Sequence, residues 1–153
     1  MEQEKTLALH IRPLLLPDIE KCVTLFMDTF SRPPWNERYE SREEVRKYFS
    51  NFLGLDNFLG FVGTIGENLV ALCVGMRKPW LKGTEYYIDQ FCVAHACQRK
   101  GIGSLFLHEI EKQLTDREIK GILLNTERNY PAHDFYRKNG FTTLKGLVVM
   151  GKE

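Results

Sequence analysis

The sequence predicts an α/β (α+β) fold, with a mixed, mostly antiparallel central sheet of six to seven strands and about four helices. Two observations predict it: apolar runs of strand length, and apolar residues that repeat at helical spacing between those runs. No repeat, low-complexity tract or Ser/Gly linker divides the 153 residues, so we expect one domain over residues 1–153. With 43% hydrophobic residues, the chain can fill a sizeable core.

The predicted strands are short runs that alternate apolar and polar residues or are continuously apolar. They cover residues 7–12, 58–65, 69–76, 85–93, 122–124, 141–143 and 147–150. The short break Gly66-Glu67-Asn68 separates the second strand from the third and predicts a hairpin.

The predicted helices begin and end at residues with known effects on helices. They cover residues 17–30, 41–51, 101–114 and 132–139. Pro33 ends the first helix because proline cannot continue one. Ser41 and Glu44 have the spacing of a capping box, which predicts the start of the second. Gly140 is a usual residue at the end of the fourth.

Composition and charge exclude several classes of protein. Ten Phe, six Tyr and two Trp exclude a disordered chain, and a net charge of +1 argues against a dedicated nucleic-acid binder. No apolar run approaches the roughly 18–20 residues that span a bilayer, and the N-terminus shows no cationic leader followed by an apolar stretch. We therefore expect a cytoplasmic protein that binds neither nucleic acid nor membrane. Whether it forms a homodimer stays open.

The four cysteines show neither a CxxC pair nor the Cys/His spacing of a metal site. We expect free thiols in a reducing compartment and no metal ion. Cys97 lies near the candidate site described next, and we expect it to be a small, unreactive residue there.

The segment after the strand at residues 85–93 combines glycines with basic residues. Arg99 and Lys100 precede Gly101 and Gly103, where a helix begins. Helix N-termini bind anions through exposed N–H groups, and glycine allows close approach, so phosphate is the expected guest. A Walker A motif is absent, and a dinucleotide fingerprint needs a third glycine where Phe106 stands. On spacing alone, a plain strand-to-helix turn remains an equal alternative.

Two motifs resemble one family. Gln98-x-x-Gly101-x-Gly103 after a strand resembles the acyl-coenzyme A signature of the GNAT superfamily of N-acetyltransferases. Asn129-x-x-Ala132-x-x-Phe135-Tyr136-x-x-x-Gly140-Phe141 is similar to the downstream strand–helix segment of that superfamily. The predicted element order agrees over nearly the whole chain. Pro33-Pro34-Trp35-Asn36-Glu37 and Tyr87-Ile88-Asp89-Gln90 are similar to its aminoglycoside 6′-N-acetyltransferase branch.

The resemblance implies acetyl-coenzyme A as cofactor. Its expected contacts are Phe91, Cys92, Val93, Gln98, Arg99, Lys100, Gly101, Ile102, Gly103, Ser104, Asn129, Ala132, Phe135 and Tyr136. Backbone N–H groups from Arg99 to Ser104 would hold the pyrophosphate, and the Val93 N–H would polarise the acetyl carbonyl. Tyr136 would protonate the leaving thiolate, since a phenol with a reference pKa of about 10 stays protonated at neutral pH.

Asp89 is the candidate base, because a carboxylate in an otherwise apolar and aromatic strand is unusual. Alternatively, Asp89 only binds the amine, and His95 or water takes the proton. Strand alternation places Asp89 and Val93 on one face unless a bulge intervenes.

The expected function is transfer of an acetyl group from acetyl-coenzyme A to a primary amine of a small molecule. The acceptor is expected to be aminoglycoside-like, and the amine to attack directly in a ternary complex. Trp35, Asn36 and Glu37, with Asp89, are the expected substrate-binding residues, although Trp35 could instead anchor the core. Two alternatives stay open: an acetyltransferase for peptide or protein amines, and a non-catalytic acyl-coenzyme A-binding sensor or assembly module.

Overall fold

The computed structural model describes residues 8–153, where four helices surround one five-stranded sheet. The strands are β1 (Leu9–Pro13), β2 (Phe58–Ile65), β3 (Asn68–Trp80), β4 (Gly83–Val93) and β5 (Gly121–Leu124). The helices are α1 (Ile19–Phe30), α2 (Arg42–Leu53), α3 (Ile102–Asp116) and α4 (Pro131–Lys138). Short 3₁₀ turns cover Leu16–Asp18 and His95–Cys97. Leu7 of the predicted first strand lies outside the described residues.

The strands lie in the order β1-β2-β3-β4-β5. Neighbouring strands are antiparallel except for β4 and β5, which are parallel. A parallel pair needs a crossover connection, and α3 supplies it. The predicted mixed and mostly antiparallel sheet is therefore confirmed.

The predicted count of six to seven strands is wrong, because the last two predicted strands do not join the sheet. Residues 141–143 and 147–150 have no ladder partner, and the Leu147 N–H instead donates to the Leu144 carbonyl at 3.1 Å to close a turn. An apolar run becomes a strand only where a neighbouring edge accepts its hydrogen bonds. No strand within residues 8–153 pairs with them.

The core lies in two layers, one on each face of the sheet. Buried side chains of α1 and α2, including Val23 and Phe49, pack against one face. Buried side chains of α3, including Phe106 and Ile110, pack against the other. The helix start predicted at Ser41 is confirmed, since its Oγ accepts the Glu44 N–H at 3.2 Å.

A β-bulge in β4 reverses the face of the sheet to which the side chains beyond it point. Val74 of β3 pairs with Gln90, but the next residue, Gly75, pairs with Ile88, so Asp89 is an extra residue without a partner. Before the bulge, Ile88 faces α3, and after it Val93 faces α3 as well. Strict alternation would place Ile88 and Val93 on opposite faces of the sheet. They share one face because the extra residue, Asp89, lies between them.

We predict that Gly75→Ala destabilises the protein. A Cβ at Gly75 would lie 2.5 Å from both the Tyr86 ring and the Tyr87 carbonyl oxygen, a backbone atom that cannot move aside cheaply. We expect the free energy of unfolding to fall by about 2–3 kcal/mol in urea denaturation.

The matched control is Gly54→Ala. Gly54 has helical backbone angles, and a Cβ there meets only ordinary contacts at 3.5 Å. We expect it to leave the unfolding free energy unchanged or raise it by up to about 1 kcal/mol. Equal stability of both variants would contradict the assignment of close packing at the bulge.

Candidate active site

The end of β4 carries a backbone amide that no neighbouring strand uses. The Ala94 N–H donates to the Val70 carbonyl of β3 at 2.7 Å, and successive amides of a strand point to opposite sides. The Val93 N–H therefore points away from β3. Pairing between β4 and β5 ends at Ile88 and Leu124, so the Val93 amide faces the open gap beyond these paired residues.

The turn after β4 and the start of α3 present a row of backbone amides. Between Arg99 and Ser104, no amide donates to a backbone carbonyl within the described part of the chain. The first N–H groups of a helix lack an intrahelical acceptor and lie at the positive end of its dipole. The side chains of Arg99 and Lys100 are exposed beside them. This row is suited to binding an anion such as phosphate.

Two glycines shape the turn for different reasons. Gly101 has a φ of 78°, in the left-handed region, and a Cβ there would meet nothing within 4 Å. The space beside it is therefore open to a ligand. At Gly103, a Cβ would lie 3.2 Å from the Phe135 ring and 3.6 Å from the Val93 side chain. The helix start, α4 and the end of β4 thus meet at Gly103.

Two predicted cofactor contacts have structural roles of their own. The Gln98 Nε2 donates to the Val93 carbonyl at 3.0 Å, which ties the turn to the end of β4. Cys92 is buried against α1 and α2 on the opposite face from Val93, so its side chain is separated from the turn. Burial raises the pKa of its thiol above the usual range.

Tyr136 is buried, with 8% of its surface exposed, among the rings of Phe91, Phe135 and Phe141. Burial is the main cause that raises its pKa above the usual range, so the phenol is protonated at neutral pH. Its oxygen is not among the fully buried, unpaired polar atoms of the described residues. The hydroxyl oxygen therefore keeps some exposed surface.

The bulge turns Asp89 towards α2, where the Tyr48 hydroxyl donates to its Oδ2. Burial and this hydrogen bond, in that order, raise the pKa of Tyr48. Tyr87 lies close enough for the Asp89 charge to raise its pKa as well, although burial is the larger cause. The prediction that Asp89 shares a face with Val93 is wrong, because the extra residue reverses the alternation.

Three of the four residues predicted to bind the acceptor lie between α1 and α2, where Trp35 is half-buried and Asn36 and Glu37 are exposed. The Trp35 ring lies 5.2 Å from Phe30 and 6.2 Å from Tyr130, in the loop before α4. Asn36 is exposed, and its Nδ2 donates to the Pro34 carbonyl at 3.4 Å. Trp35 therefore bridges two loops and is not a core anchor.

Glu37 is held in much the same way as Asp89. Its carboxylate accepts the Tyr39 hydroxyl at 2.7 Å. The rings of Tyr39 and Tyr48 lie 5.8 and 6.1 Å from the Phe26 ring. Two carboxylates, each with a tyrosine donor, are thus supported by one phenylalanine of α1.

The remaining predicted residues are less constrained. Asn129 is exposed with a φ of 69°, a conformation that asparagine tolerates, and Ala132 is half-buried in α4. His95 is exposed in the 3₁₀ turn after β4. All four cysteines are free, and Cys97 is half-buried against the α3 layer.

Sequence reasoning missed Tyr48, Tyr87 and Tyr130. Tyr48 could have been found, since it lies among Val45, Phe49 and Phe52 on the apolar face of α2. A phenol within an apolar stripe usually has a hydrogen-bond partner. Tyr87 could also have been found, since it stands two residues before Asp89. Tyr130 could not, because its neighbour Trp35 comes from a distant segment.

Among residues 8–153, no three His, Cys, Asp or Glu side chains are grouped as metal ligands. No helix in that range is both long and apolar enough to cross a bilayer.

The fold brings together the end of β4, a turn with unpaired backbone amides and the buried phenol of Tyr136. A family model described as the acetyltransferase (GNAT) family matches residues 19–141, which is most of the chain. The chain therefore belongs to the GNAT family of acetyltransferases. No curated protein gave a significant match.

Solved structures share the fold at low identity. An aminoglycoside acetyltransferase from an uncultured soil metagenomic sample, in complex with sisomicin, has a TM-score of 0.74 at 21% identity over 95% of each chain. An aminoglycoside N-acetyltransferase in complex with CoA reaches 0.77 at 11% identity over 99% of each chain. The ribosomal-protein-alanine N-acetyltransferase of Brucella melitensis biovar Abortus 2308 gives 0.74 at 17% identity, over 95% of this chain and 99% of the other. The predicted similarity to aminoglycoside acetyltransferases is confirmed for the fold.

Proposed function

We propose that this protein transfers an acetyl group from acetyl-coenzyme A to a primary amine of a small molecule, by direct attack in a ternary complex. One observation carries the proposal: the contact of Gly103 with Phe135 and Val93 gathers three groups around one gap. These groups are the free Val93 amide, the amides at the start of α3 and the Tyr136 hydroxyl.

The residues present fit the cofactor. The amides from Arg99 to Ser104 lack backbone acceptors among residues 8–153 and could receive a diphosphate, with the charges of Arg99 and Lys100 beside it. The open space at Gly101 leaves room for that group. When bound, acetyl-coenzyme A would supply the activated thioester. The Val93 N–H is a fixed donor for an oxygen that gains negative charge, a role worth roughly 100- to 1,000-fold in rate.

Tyr136 is the proposed acid. Its phenol holds its proton at neutral pH because burial raises the pKa. It can therefore donate that proton to a thiolate beside it, which a group already ionised could not do. The surrounding aromatic rings exclude water and fix the direction of the hydroxyl.

Asp89 is the proposed acceptor-binding group and base. With Oδ2 occupied by Tyr48, Oδ1 is left to meet an ammonium group and to take its proton. A lysine-like amine has a reference pKa of about 10.4, so it must lose a proton before attack. Glu37 adds a second carboxylate on the side of α1, which suits an acceptor with more than one amine.

The acceptor class rests on these carboxylates. Aminoglycosides carry several amines, and relatives of similar fold include aminoglycoside acetyltransferases. A peptide amine is the second candidate, since a ribosomal-protein-alanine acetyltransferase has the same TM-score, 0.74, as the metagenomic aminoglycoside acetyltransferase. A non-catalytic binding module would have no need for the Tyr136 hydroxyl or the Asp89 carboxylate.

The proposed activity predicts release of free thiol when the protein is mixed with acetyl-coenzyme A and a polyamine acceptor. We expect aminoglycosides to give faster release than a peptide with an N-terminal alanine. The measurement is thiol titration across an amine panel, with calorimetry of cofactor binding on the same preparation. Faster release with the peptide would favour the second candidate. Cofactor binding without any release would contradict catalysis.

We predict that Tyr136→Phe lowers kcat by about 100-fold, because the proton donor is lost while the ring packing is kept. Cofactor affinity measured by calorimetry should change by less than about threefold, since the amides at α3 are untouched. Tyr130→Phe removes the hydroxyl of a half-buried tyrosine near the site and is the matched control. Equal effects of the two substitutions would remove the acid role from Tyr136.

We predict that Asp89→Asn lowers kcat/KM for a polyamine by at least about 100-fold, because charge attraction and proton acceptance are both lost. Tyr48→Phe should lower it by about tenfold, since the carboxylate remains but loses its fixed orientation. The control is Tyr39→Phe, which removes the corresponding donor to Glu37. We expect Tyr39→Phe to lower kcat/KM less than Tyr48→Phe does, because only Tyr48 donates to Asp89. Equal kcat/KM values in the two variants would contradict the proposed role of Tyr48.

A further inference from the structure

A tyrosine and an asparagine form a polar pair at the point where β4 and β5 separate. The Asn125 Nδ2 donates to the Tyr87 hydroxyl oxygen at 3.0 Å. Tyr87 is paired with Leu123 in the parallel ladder, which ends one step later, and Asn125 is the first residue after β5. The Tyr87–Asn125 pair therefore lies at the start of the gap between the two strands, and no step of the proposed acetyl transfer uses it.

The Tyr87–Asn125 pair lies on the same face of the sheet as the Asp89 carboxylate. Tyr86 and Ile88, on either side of Tyr87, pack in the α3 layer, so alternation turns Tyr87 to the opposite face. The Asp89 carboxylate also points to that face, since its hydrogen-bond donor comes from α2. An amine held by Asp89 would therefore have the pair as its neighbour.

The pair offers one hydrogen-bond donor and one acceptor to a ligand. Because the Tyr87 oxygen accepts from Asn125, its own hydrogen is left to donate, and the Asn125 Oδ1 is left to accept. Neither side chain makes another hydrogen bond within residues 8–153. Burial, and then the charge of Asp89, raise the pKa of Tyr87, so its phenol keeps the hydrogen at neutral pH.

A hydroxyl group matches this donor and acceptor better than an amine or a methylene group does. A hydroxyl both accepts and donates, so it can accept the Tyr87 hydrogen and donate its own to the Asn125 Oδ1. An ammonium group has no lone pair for the Tyr87 hydrogen. A methylene group would displace water from the pair without replacing the hydrogen bonds of that water, which lowers affinity.

We propose that the Tyr87–Asn125 pair selects acceptors in which a hydroxyl stands close to the reactive amine, as it does in amino sugars. The inference rests on the proposed function, because it takes the Asp89 carboxylate as the group that holds the amine. It narrows the acceptor from polyamines in general to hydroxylated amines. Simple alkyl polyamines are then weaker ligands of the same carboxylate.

The test compares two amino sugars that carry the same amines, kanamycin B and dibekacin. Dibekacin is kanamycin B without the neighbouring pair of hydroxyls on the diamino sugar ring. Calorimetry on the full chain with coenzyme A present measures the binding of each sugar without turnover. We expect the unmodified protein to bind kanamycin B about tenfold more tightly, because dibekacin leaves the pair without hydrogen-bond partners.

Tyr87→Phe and Asn125→Ala should each reduce this preference to less than about threefold, because each removes one partner of the hydroxyl. Asn57→Ala is the matched control. The Asn57 Nδ2 also donates a hydrogen bond, to the Arg77 carbonyl at 3.2 Å, but Asn57 lies before β2 and away from the gap. It should keep the tenfold preference. Circular dichroism would check that each variant is folded.

An unmodified protein that binds both sugars equally, or binds neither, would overturn the inference. So would a preference that both Tyr87→Phe and Asn125→Ala retain. Thiol release from acetyl-coenzyme A separates these outcomes from the proposed function. Release with other amines but no preference between the two sugars would overturn the inference alone. The expected preference without any release would support the inference and contradict the proposed activity.

Discussion

The bulge at Asp89 is the feature on which the rest of the candidate site depends. Without the extra residue, side chains would alternate between the two faces of the sheet along the whole of β4. The side chains on one side of the bulge would then point to the opposite face. The bulge allows Ile88 and Val93 to share the α3 face, while the Asp89 carboxylate reaches Tyr48 of α2. One strand thereby supplies an unpaired amide at its end and, in its middle, a carboxylate that faces α2.

The packing around the bulge explains why a glycine stands opposite it. Tyr86 is fully buried, and its hydroxyl donates to the Leu59 carbonyl at 2.5 Å, so its ring cannot turn away from Gly75. A buried tyrosine without this partner would leave an unsatisfied hydroxyl. The bulge at Asp89, Gly75 and Tyr86 therefore depend on one another for their packing. A change in any of them would move Asp89 relative to Tyr48.

Local patterns predicted the helices well, because their signals are carried by neighbours in sequence. Ser41 caps α2 as its spacing predicted, and proline at residue 33 follows the end of α1. The site was predicted in part: the glycine turn lies where expected, but the bulge depends on which residue of β3 faces which residue of β4. That register is a tertiary property. The same limit explains residues 147–150, whose apolar run indicates a strand although no strand among residues 8–153 pairs with it.

The C-terminal segment and the candidate acid are physically linked. Phe141, at the start of that segment, donates its N–H to the Tyr136 carbonyl at 3.0 Å, and the two rings lie 5.3 Å apart. The hydrogen bond holds Phe141 against α4, and the contact between the two rings restricts the ring of Tyr136. Proton donation requires the hydroxyl to be held in one direction, so the contact with Phe141 favours the proposed acid role.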